Sequence, residues 1–136
     1  MFAKDTHVLV VDDSLNIRRI VVDSLQRIGF TKITAAEDAV EAFSKLKLFA
    51  KSPNCIGLVL SDLNMPGPSG LDFLKQVRSE KDFVTLPFIL VTTESEKGAV
   101  IEAAASGVSG YVVKPFNLET LTKKMKDAWK KHNPET

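Results

Sequence analysis

Short apolar runs alternate along this chain with longer stretches whose apolar residues recur at three- and four-residue steps. The short runs predict strands, and the longer stretches predict amphipathic helices. Val8-Leu9-Val10-Val11 reads as a first strand, closed by Asp12-Asp13. Ile17, Ile20, Val21, Leu25 and Ile28 then mark one helix face, which Gly29 ends. Lys32 to Ala36 predicts a weaker second strand. Asp38 and Glu41 have capping-box spacing and open a helix with Val40, Phe43 and Leu46 inside. Lys51-Ser52-Pro53-Asn54 breaks the pattern as a loop. The third strand opens with Ile56-Gly57-Leu58-Val59-Leu60, ends at Asp62 and gives way to a turn, Asn64-Met65-Pro66-Gly67. Ser69 and Asp72 frame the next helix start, with Leu71, Leu74, Gln76 and Val77 along it. Pro87 to Val91 is the fourth strand, with proline at its tolerated first position. Thr93 and Glu96 repeat the capping-box spacing ahead of Val100, Ile101, Ala104 and Ala105. Gly110 to Val113 is the fifth strand, and a last helix opens near Asn117 to bury Leu118, Leu121, Met125 and Trp129.

Five strands alternating with five helices predict an α/β fold. Strands that are apolar on both faces belong in a parallel sheet covered on each side. Such doubly wound sheets place their binding crevice at the carboxyl ends of the strands. With 136 residues the chain has the length of one domain. A net charge of +1, from 18 basic and 17 acidic residues, gives no sign of a nucleic-acid or membrane partner. No apolar run approaches the ~18 residues that span a bilayer. Cys55 is the only cysteine, and Met1 to Asp5 lacks a hydrophobic signal core, so a cytoplasmic location is expected.

The chemistry sits where strands end. Asp12 and Asp13, Asp62, Thr92 and Lys114 each follow or close a strand, so one sheet edge could gather them. Taken singly, each is the kind of residue that caps a helix or makes a turn. Together, three acids, a hydroxyl and an amine describe a site for moving a phosphoryl group. Two carboxylates ~4 Å apart repel by about 4 kcal/mol at an effective dielectric of 20. One lysine offsets too little of that, and a hard divalent ion such as Mg²⁺ suits the oxygen donors. Asp13 and Asp62 are expected as direct ligands, the Asn64 backbone carbonyl as the third, and Asp12 through water. Asp62 stands alone at its strand end and is the expected nucleophile. Thr92 and Lys114 would contact phosphoryl oxygens. Tyr111, by its position alone, reads as an ordinary half-buried strand residue. Lys123, Lys124, Lys126, Lys130 and Lys131 read as a solvated helix face.

Five stretches resemble the receiver domains of two-component response regulators, most of all the chemotaxis type. They are Val8 to Ser14, Arg18 to Val21, Ser61 to Pro66, Val91 to Glu94 and Gly110 to Phe116. The resemblance implies a flavodoxin-like sheet of order 2-1-3-4-5 and a single receiver unit over residues 1–136 with no output domain. It implies that Asp62 accepts phosphate from a chemotaxis-type histidine kinase in a reaction the receiver itself catalyses. The protein would then be a phosphoacceptor that also loses its phosphate unaided, not a turnover enzyme. Asp12 and Asp13 would hold Mg²⁺, Thr92 and Tyr111 would form a switch pair, and Lys114-Pro115 would be cis. Asn64 and Glu94 would tune the acyl-phosphate lifetime. The implied partners of this monomer are the kinase, a flagellar motor switch protein and a phosphatase. Pro68-Ser69 and the long connection from Phe49 to Asn54 depart from the family pattern.

Three rivals share part of the pattern. A phosphate shuttle or sink in a relay would use the same five residues. A phosphatase of the haloacid-dehalogenase type would need its second acid two residues after the first, whereas Asp12 and Asp13 are adjacent and residue 14 is Ser. A flavodoxin-like cofactor protein would need a phosphate-cradling loop after the first strand, where this chain is acidic.

Overall fold

The central strands feed side chains into two separate apolar layers, and this sets the helices on both sides of the sheet. The computed structural model describes residues 1–93 and 97–134. In chain order the elements are β1 (His7–Val11), α1 (Leu15–Ile28), β2 (Lys32–Ala36), α2 (Ala39–Phe49) and β3 (Ile56–Asp62). They continue with α3 (Gly70–Ser79), a 3-10 turn (Lys81–Phe83), β4 (Phe88–Thr92), α4 (Lys97–Ala105), β5 (Gly110–Val113) and α5 (Leu118–His132). All pairings are parallel, in the order β2-β1-β3-β4-β5. The expected doubly wound, flavodoxin-like sheet is therefore present.

Alternate residues of β1, β3 and β4 divide between the layers, as period-two geometry requires. Val8, Val10, Leu58, Leu60, Ile89 and Val112 meet Val21 and Leu25 of α1 and Leu121 and Met125 of α5. Leu9, Val11, Val59, Phe88 and Leu90 meet Leu46 of α2, Phe73 and Leu74 of α3 and Ala103 of α4. Burying each such aliphatic or aromatic side chain contributes about 1.5–3 kcal/mol. Helix starts follow the sequence signals. Ser14, Asp38, Ser69 and Asn117 each accept a backbone N–H of the first turn, and Ser69 with Asp72 completes a capping box. The Thr93–Glu96 capping expectation lies outside the described residues, because Glu96 does.

Several expected core residues point outward. Ile20, Val40 and Leu118 are 54%, 64% and 38% exposed. Ile20 and Val40 each adjoin a buried residue, Val21 and Ala39, and one residue is a 100° step around a helix. Leu118 lies in the first turn of α5, and Leu121 one turn on is the residue that reaches the core. Among the described side chains of α4 the buried one is Ala103, while Ile101 is 73% exposed and Ala104 and Ala105 face out. Trp129 is half-buried against the α1–α5 layer.

The long connection after α2 is tied down. His7 Nδ1 donates to the Asn54 carbonyl at 2.6 Å, Nε2 pairs with Thr34 Oγ1 at 2.6 Å, and the Phe49 ring packs edge-on at 5.0 Å. A carbonyl cannot donate, so Nδ1 carries the proton.

Candidate functional site

Register brings the strand ends level. Val11 pairs with Ser61, Asp62 with Val91, and Thr92 with Val113. Asp12, Asp62, Thr92 and Lys114 therefore meet along one rim. The chain order reverses between β1 and β3, and a crevice opens at such a reversal beyond the carboxyl ends. Asp12 follows the first of those strands and Asp62 ends the second.

Asp12 and Asp62 are buried, Asp13 is exposed, and one carboxylate oxygen from each lies within 4.8 Å of the others. Lys114 Nζ donates to Asp62 Oδ1 at 2.9 Å and to Asp12 Oδ2 at 3.4 Å. Its backbone N–H bonds the Thr92 carbonyl at 2.6 Å, which fixes the stem of that side chain, and the Lys114–Pro115 peptide is cis. Burial pushes the Asp12 carboxyl above the usual carboxylate range, and the Asp62 charge adds to this against the opposing Ser14 N–H and Lys114. Burial works against the Lys114 charge, but its bonds to Asp62 and Asp12 and their charges outweigh burial and raise its pKa. Three acids against one bound amine leave an excess of negative charge. All the donors are oxygens, and the exposed side at Asp13 is open to an ion. The residues thus suit a divalent hard cation, with Asp12, Asp13 and Asp62 as the group that could hold it. Asn64, the expected carbonyl ligand, is exposed two residues past Asp62.

The nucleophile candidate is held firmly. Leu63 N–H donates to Asp62 Oδ1 at 2.9 Å and Ser61 Oγ–H to the Asp62 carbonyl at 3.0 Å. The following turn uses Gly67 at φ +75°, and Met65 tucks into the α2–α3 layer. Gly70 then returns so close that a Cβ there would sit 2.1 Å from the Asp62 carbonyl oxygen. Thr92 is buried, and its hydroxyl donates to the Thr93 carbonyl at 3.3 Å. Tyr111 stands apart from this cluster. It is 39% exposed on β5, and Lys124 Nζ lies 4.9 Å from its ring centroid. Glu94 lies outside the described residues.

Two residues at the site escaped sequence reading. Gly70 carries no sequence signal of its own, and its close approach to Asp62 is a tertiary fact. Arg18 was one letter in a matching stretch. Its position on the first turn after the Ser14 cap was the available signal, since such a side chain can reach back over the preceding loop.

The response regulator receiver domain family matches residues 8–126. The chemotaxis protein CheY1 of Helicobacter pylori is 43% identical over 117 residues, covering 86% of this chain and 91% of its own. The chemotaxis protein CheY-3 of Vibrio cholerae is 38% identical over 122 residues, covering 90% of each. The solved structure of Vibrio cholerae CheY4 superposes with a TM-score of 0.79 at 36% identity, covering 91% of this chain and 98% of that one.

Proposed function

The chain belongs to the response regulator receiver domain family, and from that premise we propose that Asp62 accepts a phosphoryl group from a histidine kinase. A carboxylate oxygen of Asp62 attacks phosphorus, the phosphorus–nitrogen bond of the donor phosphohistidine breaks, and the imidazole leaves with that electron pair. The observation that carries this reading is the convergence of Asp12, Asp13, Asp62 and Lys114 on one rim, three carboxylates with a single bound amine. Asp12, Asp13 and Asp62, with the Asn64 carbonyl, would hold Mg²⁺. When bound, that ion supplies charge neutralisation for the anionic phosphoryl oxygens. Lys114 already touches the acceptor carboxylate and is placed to follow the charge onto the transferred group. Because the acceptor is the protein's own side chain, the chain acts as a stoichiometric phosphoacceptor, and Asn64 and Glu94 tune how soon water removes the group.

The output is a docking face. Phosphorylation adds about one to two negative charges and three strong acceptors. Thr92 turns its hydroxyl toward those oxygens, and Tyr111 swings inward into the space vacated beside β5. Ile101, Tyr111 and Leu118 are exposed on α4, β5 and α5, the three elements taken as that face. We take a flagellar motor switch protein as the partner, a choice in keeping with relatives that are chemotaxis proteins. Labelling with acetyl phosphate and Mg²⁺ tests the acceptor. Asp62→Asn should take up no label and chelation should abolish uptake by the parent, whereas undiminished labelling of either refutes the site. Phosphorylated protein should then retain a motor-switch peptide, and retention of a histidine phosphotransfer protein instead would place it in a relay.

A further inference from the structure

Arg18 has no part in the site as read from sequence, yet it bonds the main chain of Asp12 directly. This half-buried side chain donates from Nη1 to the Asp12 carbonyl at 2.7 Å. Its own backbone N–H makes the first helical bond of α1, to the Ser14 carbonyl at 2.9 Å. The guanidinium thus folds back from the first turn over the loop that carries Asp12 and Asp13.

The other groups of Asp12 are also engaged. Its N–H donates to the Ala36 carbonyl at 3.1 Å, Oδ1 accepts Ser14 N–H at 2.9 Å, and Oδ2 faces Lys114 Nζ at 3.4 Å. Two cations therefore meet Asp12 in different ways. Lys114 sits on carboxylate oxygens, the same atoms a metal ion would use. Arg18 sits on the main chain, and its grip does not compete with an ion. It fixes the Asp12–Asp13 peptide, from which the exposed Asp13 carboxylate projects toward Asp62.

Building on the proposed Mg²⁺ site, we propose that Arg18 is a positioning residue for the divalent cation. It pre-sets the Asp12–Asp13 backbone so that the two carboxylates need no reordering when the ion enters. Groups that orient metal ligands typically carry 10–100-fold in affinity. The sign of the effect separates this role from simple electrostatics. Arg18 is positively charged, so removing it would by Coulomb's law strengthen cation binding. Loss of the clamp weakens it.

Mg²⁺ titration by calorimetry reads the difference in the full chain, with the parent, Asp13→Asn, Arg18→Met and Arg18→Lys compared. Arg18→Met should bind Mg²⁺ about tenfold more weakly. Arg18→Lys, which keeps a donor able to reach the carbonyl, should recover to within about threefold of the parent, since a point charge replaces a planar fork. In acetyl phosphate labelling, Arg18→Met should need more Mg²⁺ for half-maximal rate while reaching the parental rate at saturation. Unchanged or tighter Mg²⁺ binding by folded Arg18→Met overturns the inference, as does a saturating rate that stays low. If Arg18→Met does not fold, Arg18→Lys decides: binding weakened by tenfold or more overturns the clamp. Failure of the parent to bind Mg²⁺, or full binding by Asp13→Asn, would instead refute the metal site itself.

Discussion

Gly70→Ala sets two expectations of opposite sign against each other. Gly70 opens α3, and glycine in a helix is about 1 kcal/mol less favourable than alanine, so propensity alone predicts stabilisation. The packing predicts the reverse. An added Cβ would lie 2.1 Å from the Asp62 carbonyl oxygen and 2.9 Å from Leu63 Cα, and both neighbours are backbone. Opening the first contact to 3.0 Å, the shortest tolerated, requires a displacement of about 0.9 Å between α3 and the end of β3. The Gly70 N–H bond to the Leu63 carbonyl, 2.7 Å long, spans that same gap and would stretch with it. Overpacking of this kind costs about 1–3 kcal/mol, which equals or exceeds the propensity gain. A net loss of up to about 2 kcal/mol lowers Tm by as much as roughly 10 °C in a domain of this size. The displaced residue is the proposed nucleophile, and a shift of about 1 Å in a reacting group costs on the order of 100-fold in rate. Thermal melts and acetyl phosphate labelling of Gly70→Ala measure both. A variant as stable as the parent and labelled at the parental rate would refute the packing argument.

Thr92→Ala should still accept label at Asp62 but should not gain affinity for the motor-switch peptide on phosphorylation; a normal gain, read by fluorescence anisotropy, would remove Thr92 from the switch. His132 offers a pH test at the opposite rim, where its Nε2 pairs with Ser109 Oγ at 2.7 Å. Burial, then the charges of Arg78 on α3 and of Lys131, lower its pKa from the ordinary 6.5. The folded state then binds this proton less readily than the unfolded state, so this contribution to stability is intact above pH ~6.5 and is lost as pH falls through the lowered folded value. The Tm difference between parent and His132→Gln should shift against the parent between pH 7.5 and 5.5, and a constant difference would exclude the linkage.

The strand ends were legible because a buried parallel strand leaves a continuous apolar run, and the first polar residue after it marks the rim. That logic located Asp12, Thr92 and Lys114, with Asp62 one residue past the polar Ser61, and the observed register makes them neighbours. Helix faces were legible only to within a step or two. Periodicity cannot say whether Ile20 or Val21 centres the inward stripe, nor that Ala103 and not Ile101 does so in α4. Contacts between distant segments left no pattern at all. The reach of His7 to Asn54 and Thr34, and of Ser109 to His132, depends on loop paths that composition does not encode.

Lys124 over the Tyr111 ring has a consequence for the silent state. An ammonium stacked on an exposed aromatic contributes about 0.5–1 kcal/mol, a two- to fivefold preference and no more. In the proposed switch such a weak weight leaves a minority of unphosphorylated molecules with the ring already turned in. The resting protein would then leak a low, steady output, and any acidic group on a partner that drew Lys124 away would tip the balance before a phosphate arrived.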